Sequence, residues 1–264
     1  MKQTAVSTAT MRIPDLADKV VLITGASTGI GAALARAFAG QGAKVGLHYH
    51  NSVDAALKLQ DELETQGGKI FLVRGDVADP IEVERIVAQT SQHFGRLDGL
   101  INNAGAMLGR IPTTTITDEH YDAVMDLNAR SVLVAIRAAS PYLKKHGGFI
   151  INTTSIAARS GGSGGAVLYA ASKGFVSTLT HGLAKEMIAD RIRVNAVAPG
   201  VITTPFHQRD STSAQLAAMQ ATIPQGRLGT AEECVGAYLF LASEALSGYV
   251  IGQIIEVNGG QLMP

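Results

Sequence analysis

Four branched or long aliphatic residues, Val20-Val21-Leu22-Ile23, run directly into Thr24-Gly25-Ala26-Ser27-Thr28-Gly29-Ile30-Gly31, and a helical pattern with Leu34 and Phe38 four apart follows. No other stretch constrains the chain as strongly. A short apolar run bounded by a turn reads as a buried strand. Glycine lets the backbone turn sharply and approach a ligand with no Cβ in the way. The helix that follows offers unpaired N–H groups and the positive end of its dipole, which together favour a phosphate. A purely structural turn is the alternative. The position between the first strand and the first helix favours the nucleotide reading, and the absence of a following Gly-Lys-Ser/Thr excludes a P-loop.

The same alternation continues along the chain. Strands are expected at 44–49, 70–73, 100–101, 149–151, 194–197 and 254–257. Helices are expected through Ala55, Leu59 and Leu63, from Pro80, from a Thr117 cap through Val124, Leu127 and Val132, and over 169–187. Thr230-Ala231-Glu232-Glu233 has the form of a capping box and opens a further helix. Strand–helix repetition of this kind predicts an α/β fold with a mostly parallel sheet covered on both faces. Residues 1–18 lack the apolar core of a signal peptide and are expected as a mobile leader, with a single domain over 19–264. A less regular segment is expected at 203–230.

Composition narrows the partners. The 22 Lys+Arg balance the 22 Asp+Glu, so neither nucleic acid nor an anionic membrane is the expected partner. The longest near-continuous apolar run, 235–242, falls far short of the roughly 20 residues that cross a bilayer. One cysteine, Cys234, rules out an internal disulfide framework and fits a reducing compartment, so a cytoplasmic protein is expected. Charged residues are only 17 % of the chain, as in proteins that cover surface by association.

Several residues could carry chemistry. Asp76 and Val77 follow the third strand and Asn102-Asn103-Ala104-Gly105 the fourth, at the C-terminal strand ends where open α/β sheets bind ligands. Tyr169 and Lys173 lie one helical turn apart, so a fixed cation can favour the phenolate of a side chain whose ordinary pKa is near 10. Ser155, at the end of the fifth strand, can hydrogen-bond a carbonyl. His48 and His50 share one face of a strand, but no third ligand is close in sequence and no metal site is expected. Cys234 reads as a small core residue. His207, Arg209 and Arg227 read as solvated loop residues, with contact to an anionic substrate as the alternative.

Together these segments resemble the short-chain dehydrogenase/reductases over nearly the whole chain from Lys19. The resemblance rests on the TGxxxGxG turn at 24–31, NNAG at 102–105, Asn128 in Asp126-Leu127-Asn128, and Ser155 in Asn152-Thr153-Thr154-Ser155. The YxxxK pair Tyr169/Lys173, the stretch Pro199-Gly200-Val201-Ile202-Thr203-Thr204, and the ending 251–260 complete it. It implies a Rossmann-type doubly wound sheet of seven strands in the order 3-2-1-4-5-6-7, layered α/β/α. It also implies an enzyme moving hydride between NADP(H) or NAD(H) and a carbonyl or secondary alcohol. In that scheme Tyr169 is the general acid/base. Lys173 lowers the pKa of Tyr169 and holds the nicotinamide ribose, Ser155 orients the carbonyl, and Asn128 positions a water. Gly25, Ser27, Thr28, Gly29, Ile30 and Gly31 would lie along the pyrophosphate, and Asp76 and Val77 near adenine. Asn103, Ala104, Gly105, Pro199, Gly200, Ile202 and Thr204 would complete the cofactor site. The family's pairing through the helices after strands four and five implies a homotetramer or homodimer.

Two departures bear on specificity. Ser155 and Tyr169 are 14 positions apart, one more than is usual in the family, which places an extra residue in the Gly/Ser loop at 160–165. NAD-binding relatives carry an acid at the end of strand two; here that place is Tyr49, followed by His50, Asn51 and Ser52. NADP(H) is therefore favoured, with NAD(H) possible, although Asn51 and Thr28 stand where NADPH-using relatives often carry arginine. A non-catalytic cofactor-binding protein and a lyase or epimerase are the competing classes. A complete tetrad counts against the first, and the ordinary length and glycine turn against the second. The substrate candidates are a sugar or polyol, a 3-oxoacyl thioester, or a xenobiotic ketone.

Overall fold

The computed structural model describes residues 12–162 and 164–263. Seven strands form one sheet: β1 Val20–Ile23, β2 Lys44–Tyr49, β3 Lys69–Arg74, β4 Gly99–Asn102, β5 Gly148–Thr153, β6 Ile192–Pro199 and β7 Ile254–Val257. Their order is β3-β2-β1-β4-β5-β6-β7 and every pairing is parallel. The reversal between β1 and β4 opens a crevice at the C-terminal strand ends.

Period-two alternation divides the core. Val21 and Ile23 of β1 face α1 (Gly29–Gly40), α2 (Val53–Thr65) and α10 (Ala231–Ala242). Val20 and Leu22 face the opposite layer, α3 (Pro80–Phe94), α5 (Ser131–Leu143) and α7 (Val167–Met187). A strand buried on both sides has no polar face to show, which is why these strands read as continuous apolar runs.

Two local features differ from the sequence expectation. The helix from Thr117 is not uniform: α4 (Asp118–Met125) passes through a π turn at Asp126–Arg130 before α5 resumes. The less regular segment contains two short helices, α8 (Pro205–Asp210) and α9 (Ser213–Ala221). The shorter α6 (Ala157–Ser160) and α11 (Glu244–Ser247) complete the set.

The expected leader ends earlier than Asp18. Ile13 and Leu16 are buried in the α1 layer, and Asp15 accepts hydrogen bonds from Ser243 Oγ (2.8 Å) and the Ala245 N–H (3.1 Å). The apolar spacing of Ile13 and Leu16 around Pro14 explains the difference, because a short 3-10 turn turns both side chains inward. The rest of the leader, 1–11, and Ser163 of the Gly/Ser loop lie outside the described residues.

Candidate active site

The glycine turn is held from three sides. Thr24 Oγ1 accepts the N–H groups of Asn103 and Ala104, both at 3.0 Å, and Asn103 Nδ2 donates to the carbonyls of Thr24 (3.0 Å) and Gly25 (3.1 Å). His48 Nδ1 accepts the Gly25 N–H at 3.0 Å, which leaves its Nε2–H to donate to Gly75 O, also at 3.0 Å. The imidazole is therefore a neutral brace between β1 and β3, and burial holds its pKa down at about 4. Gly25 has φ +63°, and a Cβ on Gly31 would lie 2.1 Å from the Gly25 carbonyl oxygen. No side chain caps the first turn of α1 at Thr28. A cleft with uncapped amides, no Cβ and a rigid floor fits a dinucleotide pyrophosphate.

Across the cleft, β5 and α7 present the candidate chemical groups. Ser155 follows β5 and its Oγ accepts the Ala157 N–H at 3.1 Å. The Ser155 hydroxyl also pulls the Tyr169 pKa downward. Lys173, one turn along α7, is buried, and its Nζ donates to Thr153 O at 2.9 Å. Asn128 sits in the π turn, fully buried. It donates from Nδ2 to Ala106 O (2.8 Å) and Val124 O (2.9 Å), and its Oδ1 accepts the Ala106 N–H (3.1 Å). A Cβ on Gly105 would meet Asn128 Oδ1 at 2.7 Å and Lys173 Nζ at 3.3 Å, so glycine there is what lets these groups stand side by side. π turns recur at functional sites because the extra residue re-aims one side chain.

The electrostatics depart from the sequence expectation. Burial pushes the Tyr169 phenol up to about 12 against the pull of Ser155, and draws the Lys173 ammonium down to about 8. Lys173 Nζ lies 5.9 Å from the phenol ring centre and donates to the Thr153 carbonyl, and burial with Ser155, not Lys173, sets the Tyr169 shift here.

These groups share one cleft of about 790 Å³. Gly25, Ser27, Thr28, Gly29 and Ile30 line it, with Asp76, Val77, Asn103, Ala104 and Gly105. So do His50, Ser155, Tyr169, Lys173, Pro199, Gly200, Ile202 and Thr204. Gly31 and Asn128 lie behind the wall, Gly31 against Gly25 and Asn103, and Asn128 against Gly105. Tyr49 turns to the α1–α2 core rather than the cleft, and Asn51 and Ser52 do not line it. His48 and His50, two positions apart, line the cleft, and alternation from His48 puts Tyr49 on the other face. Among residues the sequence reading passed over, Arg110 and Met107 line the substrate half, together with Phe206, whose ring centre is 5.4 Å from that of Tyr169. Arg209 and His207 also line it; Arg227 instead pairs with Glu233. Cys234 is buried. No group of three or more His, Cys, Asp or Glu that could hold a metal occurs among the described residues.

A dinucleotide cradle joined to a Ser–Tyr–Lys group at the switch point of a parallel sheet defines a nicotinamide-dependent oxidoreductase. Residues 25–261 match the family model described as enoyl-(acyl carrier protein) reductase, and the chain belongs to the short-chain dehydrogenase/reductase family. It is 38 % identical over 249 residues to the 3-oxoacyl-[acyl-carrier-protein] reductase of Synechocystis sp., covering 94 % of this chain and 98 % of the relative. Among solved structures it is similar to the NADH-dependent reductase A1-R' responsible for alginate metabolism, at 42 % identity and TM-score 0.86, covering 95 % of this chain and 100 % of that one. A short chain dehydrogenase from Burkholderia cenocepacia J2315 in complex with NADP is 32 % identical with TM-score 0.86, over 94 % and 99 % of the two chains. The protein is accordingly an NAD(P)-dependent oxidoreductase that acts on small molecules. No helix among the described residues is long and apolar enough to cross a membrane.

Proposed function

We propose that this cleft interconverts a carbonyl and a secondary alcohol, with Tyr169 moving the proton. The observation that carries the reading is the meeting of Ser155, Tyr169 and Lys173 on one wall of the cleft that the glycine turn enters. The bound nicotinamide would supply or accept the hydride at the carbonyl carbon. Ser155 holds the carbonyl oxygen and Tyr169 Oη delivers a proton to it in reduction, or removes one from the alcohol in oxidation. Lys173 would hold the ribose hydroxyls of the bound cofactor, and Asn128 would position a water linking Lys173 to solvent. A phenol held well above neutral pH favours the acid role and hence reduction. Assay of 3-oxoacyl thioesters, sugar-derived carbonyls and aromatic ketones, each with NADPH and NADH, tests the reading. Turnover of at least one class supports it; no oxidation of either nucleotide by any class rejects it.

NADP(H) is the preferred cofactor in this proposal. No acid stands at the end of β2, and Arg74, paired in register with Tyr49, donates from Nε at 3.3 Å to the carbonyl of His50, which lines the cleft. Preference for NAD(H) is the second reading, because the solved relative at 42 % identity is described as NADH-dependent. Fluorescence titration with both reduced nucleotides decides between them.

We infer an association of two or four copies through α5 and α7, where Leu133 and Phe175 are exposed. Light scattering at micromolar concentration should give a dimer or tetramer mass, and a monomer mass rejects the inference. The single cysteine supports a cytoplasmic location, which cell fractionation tests.

A further inference from the structure

We propose that Arg110 is a positioning residue that latches α8 and α9 over the substrate half of the cleft and so sets how tightly the carbonyl substrate is held. The oxidoreductase reading supplies the substrate; the latch itself is a statement about three loops.

The covering segment needs a hold in its middle. Neither α8 nor α9 contains a buried residue, so little apolar area fastens either helix to the domain. The segment is fixed at its ends. Thr204 is buried against Gly29, Gln261 Nε2 donates to Thr222 Oγ1 at 2.8 Å, and the Gln225 N–H donates to Gly259 O at 3.1 Å. Between those ends, at the joint of the two helices, Arg110 Nε–H donates to Asp210 O at 2.8 Å and Nη2 to Ser211 Oγ at 3.3 Å.

The base from which Arg110 reaches is itself secured. Its Nη1 donates to Gly164 O at 3.4 Å, and the next residue, Ile111, donates its N–H to Gly165 O at 3.1 Å. Gly165 has φ +82°, and a Cβ there would lie 2.8 Å from the Arg110 carbonyl carbon, so only glycine permits this approach. Just before Arg110, Leu108 has φ +58° and Gly109 φ +101°. A leucine holds such a conformation only where its surroundings impose it. The turn directs the guanidinium across the cleft mouth. One planar fork thus ties the loop after β4, the Gly/Ser loop after β5 and the α8–α9 joint. Ser211 Oγ is also 3.2 Å from Nδ1 of His207, which lines the cleft, so the latch places a wall residue as well.

The test uses the full chain with NADPH bound. In Arg110→Met, amide hydrogen exchange over 205–221 should accelerate about tenfold while the β1 and β4 amides are unchanged, and Arg110→Lys should restore part of the protection. With ethyl acetoacetate as the carbonyl probe, KM should rise about tenfold in Arg110→Met with kcat within about threefold and NADPH affinity unchanged. Ser211→Ala should give a smaller shift in both readouts, and the double variant less than the sum of the two, because they share a bond. If Arg110→Met fails to fold, exchange and KM in Ser211→Ala decide, and wild-type values there overturn the latch. Unchanged exchange over 205–221 in Arg110→Met overturns it, as does faster exchange with an unchanged KM. If the parent protein does not turn over ethyl acetoacetate, the failure is of the substrate assignment, and the exchange measurement still decides the latch.

Discussion

The two halves of the cleft are built in opposite ways. The cofactor half lies on strand ends, and its glycine turn is fixed by buried or partly buried hydrogen bonds to Thr24, His48 and Asn103. The substrate half is roofed by two short helices with no buried residue, held by the tilted contact of Phe206 with the Tyr169 ring and by Arg110. A nucleotide common to many reactions needs a preformed cradle whose geometry costs nothing to assemble on binding. A roof that varies in shape can change the substrate without disturbing that cradle. The difference shows where the chain can alter and still fold.

The largest effect should come at the seam. Tyr169→Phe removes only the transferable proton and should lower turnover about 10²- to 10⁴-fold, with nucleotide affinity nearly unchanged in titration. In the parent protein, alcohol oxidation should rise with pH, because it needs the phenolate and burial raises the phenol to about 12. A flat pH–rate profile would remove Tyr169 as the base.

Within the rigid half, Gly31→Ala places a methyl group 2.1 Å from a carbonyl oxygen. It should cost about 1–3 kcal/mol in urea unfolding and abolish measurable nucleotide binding. His48 gives the same half a pH dependence. Its folded pKa, about 4, lies below its ordinary value near 6.5. Its contribution is whole above pH 6.5 and is lost as pH falls through 4, by up to about 3 kcal/mol. Unfolding curves across that interval should be steeper in pH for the parent than for His48→Phe. Equal slopes would mean that the imidazole is not held neutral.

The smallest stability effect should come from the roof. Met219→Ala on α9 should change stability by less than about 0.5 kcal/mol while altering KM between short and long carbonyl substrates. A loss of several kcal/mol would show that the roof is part of the core.

Sequence and structure agree most closely where one element dictates its own form. All seven strands fall where apolar runs predicted them, and Thr117 and Thr230 cap their helices as their neighbours implied. The three residues brought to one wall were legible as Ser155 at a strand end and a Tyr/Lys pair one turn apart. The π turn at Asn128 was not, because nothing in 126–130 departs from ordinary helical composition; the tertiary bonds to Ala106 fix it. Arg110 was silent for the same reason, since its partners, two main-chain carbonyls and a serine hydroxyl, lie about 50 and 100 positions away. Tyr49 stands at the strand end expected for the cofactor, but strand parity turns its side chain to the α1–α2 core. The upward displacement of the Tyr169 pKa needed three-dimensional burial, which spacing alone does not give.

The bond between Asp15 and Ser243 sets an order in time. The two residues are 228 positions apart. At about 5–20 residues per second, on the order of ten to fifty seconds of synthesis separate them. Through that interval Ile13 and Leu16 have the α1 end of their cluster to pack on but not yet its α10 side. The bond from Ile13 N–H to Gln41 Oε1 can close early, whereas the grip of Asp15 on Ser243 and Ala245 closes only after α10 and α11 emerge.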